Sequence, residues 1–369
     1  MNLVFDFQLI EKLKASYNNR PKYQWPELYN LAIDPDWEEE RREIESRVAM
    51  LTDKDRQTLI EQLRNPKLFL TTYNELAVGV LLIKCGHQVE YEKPIIKKTP
   101  DWYVIPNNTS NSFIVEVASI LPTKKLQSEM QSWAELRYRL GKIEHYFHLM
   151  LSSTSRSALS GKKISRIVKF VEEWLNKFDP EDTKQMHDNI YEDDDLQITV
   201  TLMPRETKHK KAVEVGGPIF TEWINVELLR DTISKKLKKY REVKKMKIPL
   251  VVAVIPAFES GFSESSLLDA LFGQEQMFFP KTDYEIVRTQ MTRDRRGIIS
   301  PRLQKGEHVV LNTTLSAVFW VSNARKASAK IIHNPNAHNP ISPQIFPSFP
   351  NLVVAHSDQN SLELKWMIP

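Results

Sequence analysis

One cysteine, Cys85, stands in 369 residues. No intrachain disulfide can form, and the chain fits a reducing compartment. A run of about 18 uncharged apolar residues is missing, so no membrane span is expected. The opening stretch MNLVFDFQLIEKLK carries an acid in its apolar part and lacks a small-residue cleavage site. It is a poor signal peptide, and a cytoplasmic setting is the expectation. Glycine-rich phosphate loops are absent, which argues against an ATP motor. There is no internal repeat. Charge of one sign is not in large excess either: 27% of residues are charged, yet the net charge is +4. That excludes a bulk polycation, so a nucleic-acid surface would have to be a local basic patch. Apolar residues make up 41% of the chain and aromatics 9%. They suffice for a buried core in a chain long enough for two or three domains of about 100–200 residues.

Hydrophobic spacing orders the rest. Residues 1 to about 65 have helical periodicity, in DWEEERREIESRVAML and TDKDRQTLIEQLRN, with Thr52 as an N-cap. PKLFLTTYNELAVGVLLIKCG follows, apolar nearly all round as in a buried helix, with Gly86 as its stop. HQVEYEKPI, TPDWYVI and SFIVEVASI read as strands. Two long helical patterns come before the strand-like DLQITVTLMPR. KIEHYFH, with Glu144, His145 and His148, has helical spacing, and Lys142 falls on the water side of that pattern. A basic helix from about Asn225 to Lys247 leads into IPLVVAVIPA, a buried-strand pattern. A short helix around SSLLDALFG, an irregular basic loop RTQMTRDRRG, two strands in LSAVFWVSN and AKIIHNP, and a proline-rich coil complete the chain. The expectation is an α/β (mixed α+β) fold with a central mixed sheet flanked by helices. Its parts would be a helical segment (1–65), a first core part (66–121), a mainly helical insertion with one added strand (122–224), a second core part (225–273) and a C-terminal extension (274–369).

Two strands in KKTPDWYVIPNNTSNSFIVEVAS each carry one acid among apolar neighbours: Asp101 and Glu116. Asn107 to Ser110 supply turn residues. A hairpin centred between Asn108 and Thr109 sets Asp101 directly opposite Glu116, both on one face. Like charges there repel, more so beside apolar neighbours. Either one acid stays protonated or a cation sits between them, and Mg²⁺ commonly takes one or two carboxylates. A third acid, Glu75, falls beside Val78, Gly79 and Leu82 on the buried helix, where an unpaired carboxylate is costly. Gly79 would let another backbone approach closely. The bland alternative is a solvated strand face, with the pair separated by a one-residue slip.

A helix with Glu75, then Pro100-Asp101 on a strand, then Glu116-Val117-Ala118 on the next, resembles the PD-(D/E)XK nuclease superfamily, whose fold is restriction-endonuclease-like. ISKKLKKY…KIPLVVAVIPA…SLLDALFG is similar to the second core helix and fourth strand of bacterial members with a long insertion. The likeness covers Lys67–Ile120 and Asn225–Gly273. A second Pro-Asp, Pro35-Asp36 in IDPDWEEE, reads instead as a helix N-cap at Asp36 with Glu39 as the capping acid. The chain departs from the family pattern at Ala118, where a lysine is expected. In such families the lysine can migrate to the second helix. There Lys236 falls inside the apolar arc of Val226, Leu229, Ile233, Leu237, Tyr240 and Val243, whereas Lys235, Lys238 and Lys239 fall outside it. Snorkelling from the edge of the arc is the alternative for Lys236.

The resemblance implies metal-assisted phosphodiester hydrolysis by a bacterial-type nuclease of defence or repair. Glu75, Asp101 and Glu116 would hold Mg²⁺ or Mn²⁺, helped by the Val117 carbonyl, and Lys236 would orient water or stabilise phosphate charge. DNA is the expected partner, and a homodimer is admitted. Lys235 and Lys239 on the basic helix, with Arg293, Arg295 and Arg296 in the loop, are candidate phosphate contacts; a solvated face is the plain alternative. YEDDDLQ reads as a solvated loop. His145 and His148, or His333 and His338 in HNPNAHNP, are weaker metal candidates. Two competing functions stand beside the nuclease: a nucleic-acid-binding module without catalysis, and a protein-interaction subunit with structural acids.

Overall fold

The computed structural model describes residues 3–95, 97–107, 111–121, 123–153, 157–178, 185–204, 211–212, 215–216, 226–256, 263–278, 290–293, 297–304, 307–310, 312–325, 328–357 and 362–367. The side chains of 211–212, 241, 243–244, 275–278, 290–293, 301–304, 307–310, 354–357 and 362–363 lie outside that description. In chain order the elements begin with helices α1 (Phe7–Tyr17), α2 (Glu27–Ile33), α3 (Glu38–Ala49), α4 (Asp53–Leu63) and α5 (Phe69–Lys84). Strands β1 (Gln88–Tyr91), β2 (Trp102–Ile105) and β3 (Phe113–Ile120) follow. Next are α6 (Lys124–Leu140), β4 (Glu144–His145), β5 (Phe147–Ser153), α7 (Gly161–Leu175), β6 (His187–Asp193), β7 (Leu196–Pro204), β8 (Lys211–Ala212) and β9 (Val215–Gly216). Then come α8 (Val226–Lys239), β10 (Leu250–Pro256), α9 (Glu264–Phe272), β11 (Glu275–Phe278), β12 (Gln290–Arg293), β13 (Pro301–Gln304) and β14 (Glu307–Val310). Strands β15 (Leu315–Val321), β16 (Ala329–His333), β17 (Asn351–Ser357) and β18 (Leu362–Met367) close the chain. No helix among the described residues is long and apolar enough to cross a membrane.

The chain forms two compact units: Met1–Lys14, Pro26–Leu121 and Trp223–Pro369 in the first, Ala15–Trp25 and Pro122–Glu222 in the second. The first holds an eight-stranded mixed sheet in the order β1-β2-β3-β10-β15-β16-β17-β18. β1, β2 and β3 form an antiparallel meander, and β10 runs parallel to both β3 and β15. Trp102 pairs with Val115, Tyr103 with Ile114 and Val104 with Phe113. That register has the centre expected between Asn108 and Thr109. Successive β3 side chains alternate between two layers. Ile114, Ala118 and Ile120 pack with Leu229, Ile233, Leu237 and Tyr240 of α8 and its C-terminal end. On the opposite face α5 is docked through Asn74 Nδ2, which donates to Ser119 Oγ at 2.9 Å. α5 ends where expected, with Gly86 at φ 84°, a left-handed conformation that glycine adopts without a Cβ clash. Thr52 caps α4 by accepting from the Asp55 N–H.

Several expectations need correction. The insertion is not mainly helical with one strand. The second unit pairs α6 and α7 with a four-stranded sheet, β6-β7-β5-β9, and a short β4-β8 pair. Phe147, Leu149 and Leu151 alternate inward on β5 and join Trp133, Ile167 and Val200 in the core. This two-residue period overrides the helical spacing of KIEHYFH, so Glu144, His145 and His148 share no helix face. Lys142 lies in the turn after α6, its ammonium 4.6 Å from the centre of the Tyr138 ring. YEDDDLQ is mostly strand: it holds the end of β6, a two-residue turn at Asp194–Asp195 and the start of β7, with Lys163 paired to Asp193 at 3.1 Å and to Asp195. Residues 274–369 are not an extension, since β15 to β18 make half of the central sheet. Part of the basic loop is strand: Arg293 pairs with Glu275 across β11 and β12. Asp34, not Asp36, accepts the capping hydrogen bond in IDPDWEEE.

Candidate active site

Pro100 and Asp101 end the β2–β3 ladder in a particular way. Ile114 N–H donates to the Pro249 carbonyl, so the backbone groups of even-numbered β3 residues face β10. Those of odd-numbered residues face β2. The last pair is Trp102 with Val115. Continued two residues, the register brings Pro100 opposite Val117, and proline has no N–H for the Val117 carbonyl. The Val117 N–H is taken instead by Asp101 Oδ2, at 2.6 Å. The Asp101 carboxylate is thereby fixed against β3, beside a carbonyl that receives no bond from the β2 backbone.

Glu116 is fully buried. It lies on the α8 face of β3, between Ile114 and Ala118. Lys236 Nζ donates to its Oε2 at 2.8 Å and lies 3.6 Å from Asp101 Oδ2. Lys239 Nζ donates to Glu116 Oε1 at 3.0 Å and to the Thr99 carbonyl at 3.2 Å. Tyr240 Oη donates to the same Oε1. Repulsion between the two acids is therefore answered by ammonium groups of the chain itself. Burial raises the Asp101 pKa, the Glu116 charge adds to it, and Lys236 opposes both; the result is about 6. For Lys236, burial acts downward, but Asp101 and Glu116 outweigh it and the pKa is raised.

Glu75 comes from the other layer and is positioned through Trp102. The Trp102 indole N–H donates to the Glu75 carbonyl at 2.8 Å, and its six-membered ring lies against Gly79, where a Cβ would fall 2.2 Å from it. Gly79 thus admits a side chain, not the backbone expected. Burial and the Asp101 charge push the Glu75 pKa up to about 8. Its Oε2 lies 2.6 Å from Tyr91 Oη, which is also 2.8 Å from Gln62 Oε1. One hydroxyl proton cannot serve two acceptors. Both contacts are met if Glu75 keeps its proton and donates to Tyr91, which donates to Gln62. Two carboxylates then face two ammonium groups.

The structure brings together Asp101, Glu116, Val117 and Lys236, with Glu75 close enough to feel the charge of Asp101. It adds Lys239 and Tyr240. Lys239, expected as a phosphate contact, is bonded to Glu116, while Lys235 is exposed on α8. Arg293 has its backbone on β12, and its side chain lies outside the described residues, as do Arg295 and Arg296 entirely. His333 is buried at the end of β16 with its Nε2 2.9 Å from Asn351 Oδ1. Among the described residues no three side chains of His, Cys, Asp or Glu converge as a metal cage. The donor chemistry of Asp101 and Glu116 still suits a hard divalent ion, which takes as few as one or two carboxylates. For Glu116 that requires releasing a donor. No family model, curated protein or solved structure matches the chain.

Proposed function

We propose that the protein is a metal-dependent nuclease hydrolysing phosphodiester bonds, with DNA as its substrate. The observation that carries this reading is the meeting of Asp101, Glu116 and Lys236. Lys236 Nζ lies 2.8 Å from one acid and 3.6 Å from the other. The helix, three-strand meander, helix and parallel strand that carry them follow the order of the restriction-endonuclease-like core. Lys236 supplies the ammonium that Ala118 cannot. Asp101, Glu116 and the Val117 carbonyl would hold Mg²⁺ or Mn²⁺, with Glu75 as an outer acid. At such a site the ion supplies an acidified water and a polarised phosphate. Lys236 then steadies negative charge on the reacting phosphate, and Asp101 stays oriented by the Val117 N–H.

The test is cleavage of supercoiled plasmid with Mg²⁺ or Mn²⁺. Cutting by the native protein should fall by about 10²-fold or more in Asp101→Ala and Glu116→Ala, and by a similar order in Lys236→Ala. The engagement of Glu116 by three donors favours a second reading, a nucleic-acid-binding module that has lost catalysis. DNA binding without cutting in any metal would select it. Neither binding nor cutting would leave the protein-interaction role.

A further inference from the structure

The three donors on Glu116 are not equivalent. Tyr240 is fully buried in the layer between α8 and β3. Lys236 is shared between Glu116 and Asp101 and is 28% exposed. Lys239 is 38% exposed. Its other partners are the main-chain carbonyl of Thr99 and the ring of Tyr240, whose centre lies 5.0 Å from the ammonium. A flexible four-carbon stem lets it leave without disturbing the core. Other lysines close to these two partners along the chain are exposed: Lys97 and Lys98 just before Thr99, and Lys235 and Lys238 on α8.

Building on the metal-dependent reading, we propose that Lys239 is a displaceable counter-ion. It occupies Glu116 Oε1 while no divalent cation is bound and gives up that oxygen when one arrives. Its ammonium then joins the neighbouring lysines at the substrate phosphates. Lys239 is a positioning residue here, since it acts through Glu116. Its charge opposes cation entry twice, by repulsion and by competition for a lone pair.

Mn²⁺ binding, followed by the loss of its free EPR signal, tests this without turnover. Lys239→Met keeps the apolar stem and removes the charge, and should bind Mn²⁺ about tenfold more tightly, within the usual range for coupled sites. In the native protein, saturating Mn²⁺ should speed acylation of Lys239 several-fold, read by peptide mass spectrometry, with Lys235 as the exposed reference. That second measurement needs no variant. Mn²⁺ binding that is lost in Glu116→Gln but equal or weaker in Lys239→Met would overturn the counter-ion role and leave the metal reading standing. Unchanged Lys239 acylation at saturating Mn²⁺ would do the same. No Mn²⁺ binding in either protein would overturn both.

Discussion

Glu75 is an acid kept from ionising by its surroundings. An ordinary glutamate titrates at 4.5, whereas burial and Asp101 bring Glu75 to about 8. Below 4.5 folded and unfolded chains both hold the proton, and its contribution to stability is complete. Between 4.5 and about 8 the unfolded chain releases the proton and the folded chain keeps it, so stability falls as pH rises. Each pH unit in that window is worth about 1.4 kcal/mol, so the swing is of the order of a few kcal/mol. Glu75→Gln removes the titration and keeps a donor for Tyr91. Urea unfolding in EDTA should show the native protein losing ground to Glu75→Gln steadily from pH 5 to 8; parallel profiles would refute the protonated state. His87 and His333 add a separate slope at lower pH. Burial lowers both pKa values from 6.5. The unfolded chain then binds the extra protons, and stability is lost as pH falls below that value. Tyr240 offers a plainer check. Its hydroxyl donates to a fully buried carboxylate, and hydrogen bonds to charged groups are worth about 1.5–3 kcal/mol. Tyr240→Phe should destabilise the fold by that order, measured by the same urea titration.

Between elements, the contact of α5 with β2 decides where the acids stand. Trp102 bonds the Glu75 carbonyl and fills the space left by Gly79, so one indole sets the position of Glu75 and of its own neighbour, Asp101. Gly79→Ala would gain helix propensity of about 1 kcal/mol. Its Cβ, however, would fall 2.2 Å from the ring. Overpacking of this kind costs about 1–3 kcal/mol, so a net loss of stability is expected in urea unfolding; a stabilised variant would show that the ring moves freely. The meander and its register are legible in the sequence because turn residues and apolar alternation agree there. Lys236 is legible as a charge inside an apolar arc. Lys239 is not, because a wheel marks where a side chain starts and not how far it reaches. Tyr240 counts as apolar on the same wheel, although its polar tip finds the acid. A fuller signal is the set 236, 239 and 240, three donors at helical spacing opposite one strand acid. The second unit is misread for another reason: short apolar runs fit both periods, and only tertiary packing chooses between them.

At the scale of the molecule, the sheet does not end where the resemblance ends. A four-stranded core would leave β10 at an edge. Here β10 is buried along all seven residues and runs between β3 and β15, with Val252 paired to Glu116. Its first N–H, Leu250, donates to Ser316 Oγ at 2.9 Å. From the N-terminal helices, Arg47 on α3 reaches the carbonyls of Ala324 and Arg325, at 2.5 and 2.6 Å. β15 therefore holds the strand beside the acid site, and the connection that follows it, before β16, holds the helices. Local pattern cannot reveal this, because a strand's apolar face is the same whether it joins the first sheet or builds another. Truncation after Gly273 would leave β10 with an open, apolar, unbulged edge, the kind that pairs with other chains. A chain of residues 1–273 should collect in the insoluble fraction, or melt without a cooperative transition by circular dichroism. A soluble 1–273 that unfolds cooperatively and binds Mn²⁺ through Asp101 and Glu116 would show that the smaller core stands alone, and that β15 to β18 are an addition to it.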